Sequence, residues 1–364
     1  TTFMADYAFK ESATNDTSCA MRLGWLRDYS ALSNQARQPL REFRGRTHSA
    51  SAAVGYGKAA MLFVMLRDQI GEKAFRQGIR DFWAKNQFRV ASWQELQVAF
   101  ESASGQDLKT FFAGWLDASG APKLEARDAL VRPTGNRYRL DLVINQQGAP
   151  RISRLPIEVS AGSKRETRWI SLKQANEKVS LDLDFRPQLV RLDPDIRLWR
   201  QLDAQEMPPI LRQWLGAAAP RLVAAARGAA ADAAATLAQR FFEVKPQNLS
   251  GAALASSLDS GGPIMIIGTH TEVAASLAAA GLPARPVELA TRGTAQVWTL
   301  LRSSGPPVAV VSADDAKALQ ALIRPLPHYG GQSWLVFEGS KSVDRGIWPS
   351  SGFAVDIKEA PPDK

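Results

Sequence analysis

The 364-residue chain holds one cysteine, Cys19, and only three histidines, His48, His270 and His328. A single cysteine excludes an internal disulfide and a cysteine-based zinc site, and it leaves the compartment open. No His-Glu-x-x-His string occurs, so no histidine pair stands at metal-binding spacing on one helix. No apolar run approaches the ~20 residues that a membrane helix requires, which argues against a transmembrane segment. The N-terminus has no basic-then-apolar leader pattern, and Thr1 is not expected to be a natural start. Charge of one sign is also not concentrated anywhere. The formal net charge is +9, with 15 Lys/Arg against 12 Asp/Glu in residues 1–120, 16 against 11 in 121–204 and 14 against 13 in 205–364. A nucleic-acid binder gathers its excess in a patch or stripe, so this spread speaks for solubility and against a nucleic-acid partner.

What is present begins with helical periodicity. Residues 1–32 read as helical, and 33–55 as a polar, basic loop or broken helix containing Arg37, Arg41, Arg44, Arg46 and His48. A lone imidazole is more often a surface or hydrogen-bonded residue than a ligand, and His48 is read that way. Met61, Leu62, Met65 and Leu66 recur at helical spacing, as do Phe75, Ile79, Phe82 and Trp83. Ser92 followed by Glu95 has the form of a capping box, and Gly105 and Gly120 stand where helices would stop. Every aromatic residue of this stretch except Tyr56 is expected in a helical core.

Tyr56-Gly57-Lys58, Gly71 to Arg80, Ala91 to Leu96, Ala99 to Gly105, Asp107-Leu108, Phe111 to Leu116 and Gly120-Ala121-Pro122 follow in one order over some sixty residues. This string resembles the end of the catalytic domain in the gluzincin aminopeptidases of the M1 family. The resemblance implies the helical end of a thermolysin-like catalytic domain, a zinc cofactor in the full-length parent, and a peptide substrate. Thr1-Thr2-Phe3 is similar to the tail of the string that carries the third zinc ligand in that family. The zinc ligands and the general-base glutamate would then belong to an upstream half of the same protein, and none is expected in residues 1–364. The resemblance assigns Tyr56 as the catalytic phenol that donates a hydrogen bond to the oxyanion. A phenol placed where negative charge develops lowers a barrier by about 3 kcal/mol. Lys58 is expected to pack its stem and project its amine into solvent. Many relatives are bacterial envelope proteins, which tilts localisation toward the periplasm or cell envelope.

After Pro122 the period changes from helical to two. Tyr138, Leu140, Leu142 and Ile144 alternate with polar residues, as do Leu155, Ile157 and Val159, and Val179, Leu181, Leu183 and Phe185. Such runs separated by turn residues predict about seven antiparallel strands in a β-sandwich over 121–204. Leu215 to Phe242 is alanine-rich and reads as helix, with interruptions at Pro220 and Gly228. Strands are predicted at Pro263–Gly268, Pro286–Leu289, Val297–Leu300, Pro307–Val311 and Ser333–Phe337, with helices at Thr271–Ala280 and Asp314–Ile323. The expected fold class is therefore multidomain α+β. A helical end of a catalytic domain (1–120) precedes a β-sandwich (121–204) and an α/β domain with an alanine-rich lead-in (205–364).

No Gly-x-Gly-x-x-Gly, Walker or Gly-x-Ser-x-Gly string marks the last domain as an enzyme. Any ligand there is expected beside Gly268-Thr269-His270-Thr271, between an apolar strand and a helix, where open α/β sheets hold ligands. Plain N-capping by a threonine is the competing account. Two functions stay open on this sequence. One is a C-terminal part of a zinc aminopeptidase, inactive alone. The other is a non-catalytic relative that binds a partner through its sandwich and α/β domains.

Overall fold

The structure is a computed structural model and describes residues 1–32, 38–45, 52–148, 150–203, 206–300, 302, 304–348 and 354–360. It forms two compact units. Thr1–Ser30, Gln35–Asp203 and Gly352–Lys364 make the first, and Ala31–Asn34 with Ala204–Ser351 make the second.

The first unit opens with helices. Thr2–Tyr7 and Ala53–Lys58 are wound as π-helix, the latter running directly into helix Ala59–Ile70. Helices Ala8–Ala13, Asn15–Ser30, Glu72–Asn86, Trp93–Ser104 and Lys109–Leu116 complete the helical part. Phe63 and Phe100 lie with Phe3 and Phe75 in one aromatic cluster, neighbouring ring centroids being 5.3 to 6.4 Å apart. Ser92 Oγ accepts from the Gln94 N–H at 3.1 Å, and Glu95 Oε2 accepts from the Ser92 N–H at 2.7 Å, as the capping-box spacing predicts. Gly105 takes the left-handed conformation that ends this helix. Two aromatic expectations fail: Trp83 is 59% exposed, because it lies on the outer face of Glu72–Asn86 while Phe75 and Gly78 face inward, and Phe88, past the end of that helix, is 96% exposed.

Strands β1 (Lys123–Thr134), β2 (Arg137–Gln147), β3 (Ser153–Ala161), β4 (Lys164–Leu172), β5 (Asn176–Leu183) and β6 (Leu189–Leu192) follow. Their buried residues alternate, for instance Leu140, Leu142 and Ile144, or Leu155, Ile157 and Val159. They form two four-stranded sheets, and the missing members come from the chain's far end. Lys358–Glu359 pairs parallel with β1, giving the order Lys358–Glu359, β1, β2, β5. Ala354–Asp356 pairs antiparallel with β6, giving Ala354–Asp356, β6, β3, β4. The expected α/β domain running to residue 364 is thus shortened. Its last segment alternates weakly and is too short to be read as strands, yet it supplies the hydrogen bonds that two edge strands lack.

Arg197 binds Asp68 through two hydrogen bonds of 2.9 and 2.5 Å, and the buried Arg22 donates to the Asp195 carbonyl at 3.2 and 2.9 Å. These contacts join the helical part to the segment after β6.

In the second unit, β7 (Arg221–Ala224), β8 (Gln247–Asn248), β9 (Ile264–Thr269), β10 (Ala295–Thr299), β11 (Val308–Ala313), β12 (Trp334–Glu338) and β13 (Lys341–Gly346) make one sheet. Their order is β13-β12-β10-β11-β9-β7-β8. The four strands β8, β7, β9 and β11 are parallel, and β10, β12 and β13 continue the sheet antiparallel. Helices Ala229–Phe241 and Ala316–Leu322 pack on one face, against Met265, Ile267, Val297 and Val311. Helix His270–Ala279 packs Val273 and Leu277 on the other face, with Ile266, Trp298 and Val310.

Two expected elements are corrected here. The alanine-rich stretch is not one interrupted helix, since Arg221–Ala224 is strand β7 and only Ala229–Phe241 is helical. Between two parallel neighbours, ladder hydrogen bonds outweigh the helix propensity of a four-residue segment. The predicted strand Pro286–Leu289 is a short helical turn at Val287–Ala290, with Val287 exposed.

Candidate functional site

Tyr56 stands in the π-helical turn Ala53–Lys58, 44% exposed. Its ring meets Phe43 edge-on, with centroids 5.7 Å apart. The two glycines beside it permit that placement: a Cβ at Gly55 would overlap the Phe43 ring, and one at Gly57 would press on Trp25 Cβ at 3.2 Å. Among the described residues the Tyr56 hydroxyl has no hydrogen-bond partner, so its donor is free to meet something else. π-Helical turns inside longer helices are often found at functional positions.

Lys58 departs from expectation. Its amine does not reach solvent; the residue is 1% exposed, and Nζ donates to the Ala118 carbonyl at 3.0 Å. Burial first, and then the charge of Arg151, pull its pKa down to about 8, against the opposing pull of Asp117. Arg151 itself donates to the Ser119 carbonyl at 3.2 Å and lies over the Trp115 ring at 5.7 Å. The two cations thereby pin the turn between helix Lys109–Leu116 and β1. A helical period places Lys58 near Tyr56 in sequence, but only the fold shows that its task is structural.

His48 lies outside the described residues. Among the described residues, no three His, Cys, Asp or Glu side chains gather where they could hold a metal. The residues of this chain that are described therefore do not fit a zinc ion.

The tetrapeptide Gly268-Thr269-His270-Thr271 is split by the structure. Gly268 is buried beneath the helix, where a Cβ would meet Ala225 Cβ at 3.1 Å and Val273 Cγ2 at 3.3 Å. Thr269 is the N-cap residue, and Glu272 folds back on it. Glu272 Oε2 accepts from Thr269 Oγ1 at 2.6 Å and from its N–H at 3.3 Å, while Oε1 accepts from the Arg227 N–H at 3.0 Å. The chain's own carboxylate thus meets donors at this helix start, as the capping account describes. Thr271 is exposed.

His270 turns elsewhere, into a cavity of about 300 Å³ between helix His270–Ala279 and the sheet. Its Nδ1 receives the Arg285 guanidinium at 2.9 Å, and because arginine only donates, Nδ1 is the acceptor. The proton therefore sits on Nε2, which faces Asp314 Oδ1 at 3.0 Å. Ser312 Oγ lies 2.6 Å from Nδ1. Burial, then the neighbouring Arg285, keep the imidazole's pKa below its ordinary value despite Asp314. Arg285 also donates to Gln296 Oε1 at 2.6 Å. Ser312, Asp314, Arg285 and Gln296 were not singled out from the sequence. A signal existed for two of them: Ser312 and Gln296 are polar residues within otherwise apolar, fully buried strands, and such groups need a reason.

The first unit thus presents the Tyr56 phenol on a helical scaffold, with no metal donor set among the described residues. Residues 13–115 match the family described as Peptidase family M1 domain. The chain is 33% identical over 75 residues to an aminopeptidase N of Lactococcus lactis subsp. lactis, a match that covers 21% of this chain and 9% of that enzyme. It is 27% identical over 133 residues to a probable aminopeptidase 1 of Sulfurisphaera tokodaii, covering 36% of this chain and 16% of that protein. The matches therefore span well under a fifth of these relatives' lengths. Among solved structures, an aminopeptidase A of Legionella pneumophila aligns over 50% of this chain and 21% of its own at 20% identity, with a TM-score of 0.38, too low to bear on the fold.

Proposed function

We propose that the first unit is the C-terminal portion of an M1-type zinc aminopeptidase, the helical end of a thermolysin-like catalytic domain followed by a β-sandwich. The substrate class is then peptides with a free N-terminus, and the partner is the half of the protein that carries the zinc ligands. What carries this reading is Tyr56: a phenol with an uncommitted hydroxyl, presented from a π-helical turn within the family segment. Its role is to donate a hydrogen bond to the oxyanion formed as the scissile carbonyl is attacked. That bond is stronger in the transition state than with bound substrate, so it acts on turnover more than on binding.

In a protein carrying both halves, Tyr56→Phe should lower kcat about a hundredfold while KM changes little. An unchanged kcat removes Tyr56 from the mechanism. Residues 1–364 alone, supplied with zinc, should hydrolyse no aminoacyl anilide. Chelator-sensitive turnover by this chain would overturn the division of labour between two halves.

A further inference from the structure

We propose that the cavity beside His270 in the second unit binds a small carboxylate with an apolar body, such as a short-chain or aromatic carboxylic acid. This inference is independent of the peptidase reading, which concerns the first unit. Three observations carry it.

The first is an unbalanced cation. Arg285 is partly buried at the cavity wall, and its Nη1 meets only neutral acceptors, His270 Nδ1 and Gln296 Oε1. No carboxylate pairs with it among the described residues. The two acidic groups nearby are committed, Asp314 to His270 Nε2 and Glu272 to the helix start. Gln296 is itself fixed, its amide donating to the Arg292 carbonyl at 2.5 Å, so the guanidinium is held in place rather than left to find a partner. A planar guanidinium offers two parallel donors that match one carboxylate.

The second is an unmet donor. Trp298 lines the same cavity, and its indole N–H is buried without an acceptor among the described residues. The indole side chain at this wall therefore reports on whatever enters the cavity. The third is the remaining wall, made by Val273, Leu277 and Leu282. That wall suits hydrocarbon, and about 300 Å³ is at the small end of ligand pockets. A phosphate dianion would find one arginine and an apolar lining, too few donors for its charge.

The test uses the full chain with ¹⁵N-labelled tryptophan. Sodium benzoate and sodium butyrate are the probes, with benzyl alcohol and inorganic phosphate as comparators. The Trp298 indole resonance, identified by its loss in Trp298→Phe, should shift saturably with benzoate. Arg285→Gln should weaken that binding at least tenfold, with the other indole resonances unmoved as proof of folding. Arg285→Lys, which keeps the charge but not the fork, should fall between. The proposal fails if no indole resonance shifts saturably up to about 10 mM benzoate, the upper range of weak affinity. It fails equally if benzyl alcohol or phosphate binds as well as benzoate, or if Arg285→Gln binds benzoate unchanged. Should Trp298→Phe not fold, the benzoate-responsive resonance is judged by the two Arg285 variants alone.

Discussion

Lys58 shows how a residue beside a candidate catalytic group can be structural. An amine buried to 1% exposure loses hydration, and a single carbonyl from Ala118 replaces only part of it. The folded-state pKa of about 8 lies below the unbound value of 10.5. Below pH 8 the lysine must carry its charge into the folded interior, which is destabilising in full. Between pH 8 and 10.5 the unfolded chain binds more protons, so stability rises with pH over that window. Lys58→Met should therefore gain most over the unaltered protein at pH 7, and that advantage should shrink by up to about 3 kcal/mol by pH 10.5. Denaturation midpoints of the two proteins at both pH values provide the measurement. A difference that stays constant with pH would mean that Lys58 is not held in this environment.

At the scale of elements, the helix Trp93–Ser104 rests on chemistry written at its start. Ser92 and Glu95 satisfy backbone donors that have no partner within the helix. Ser92 is exposed, so removing its hydroxyl disturbs no packing. Ser92→Ala should cost about 1 kcal/mol, read as a lower melting temperature and faster amide exchange in the first turn. Unchanged exchange there would show that packing of Phe100 alone holds the helix end. The same arrangement recurs where Glu272 returns to Thr269 at the start of helix His270–Ala279. A threonine before a helix reads identically from sequence whether it greets an anion or a glutamate three residues on. The Arg227 N–H that completes the binding of Glu272 comes from 45 residues away.

On the scale of the whole molecule, the chain's last strands return to its middle. Ala354–Asp356 and Lys358–Glu359 cover the edges of β6 and β1. A chain ending at residue 348 should leave both edges open. Amide exchange should then accelerate in β6 and around Leu130 and Val131 in β1, while β9 and β11 in the other unit keep their protection. Equal exchange in both proteins would show that the two edges are held without the tail.

The sequence by itself determined the elements whose signals are local. Helical spacing and capping between Ala59 and Leu116, period-two burial in β2 and β3, and the apolar runs of β9 and β11 all follow from side chains within a few residues of one another. The order of residues from Tyr56 to Pro122 likewise carried the family resemblance before any coordinates. Tertiary structure decided what depends on distant partners. Arg221–Ala224 became a strand because β8 and β9 flank it, against the helix preference of its alanine-rich surroundings. Lys58 was buried because the Ala118 carbonyl meets it from sixty residues away. Ser312 met His270 from 42 residues away, and Gln296 came beside it and onto Arg285, because strand pairing sets Gln296 opposite Ser312. Local preferences are worth tenths of a kcal/mol per residue, whereas burial and buried hydrogen bonds are worth more, and those are settled by which segments the fold brings together.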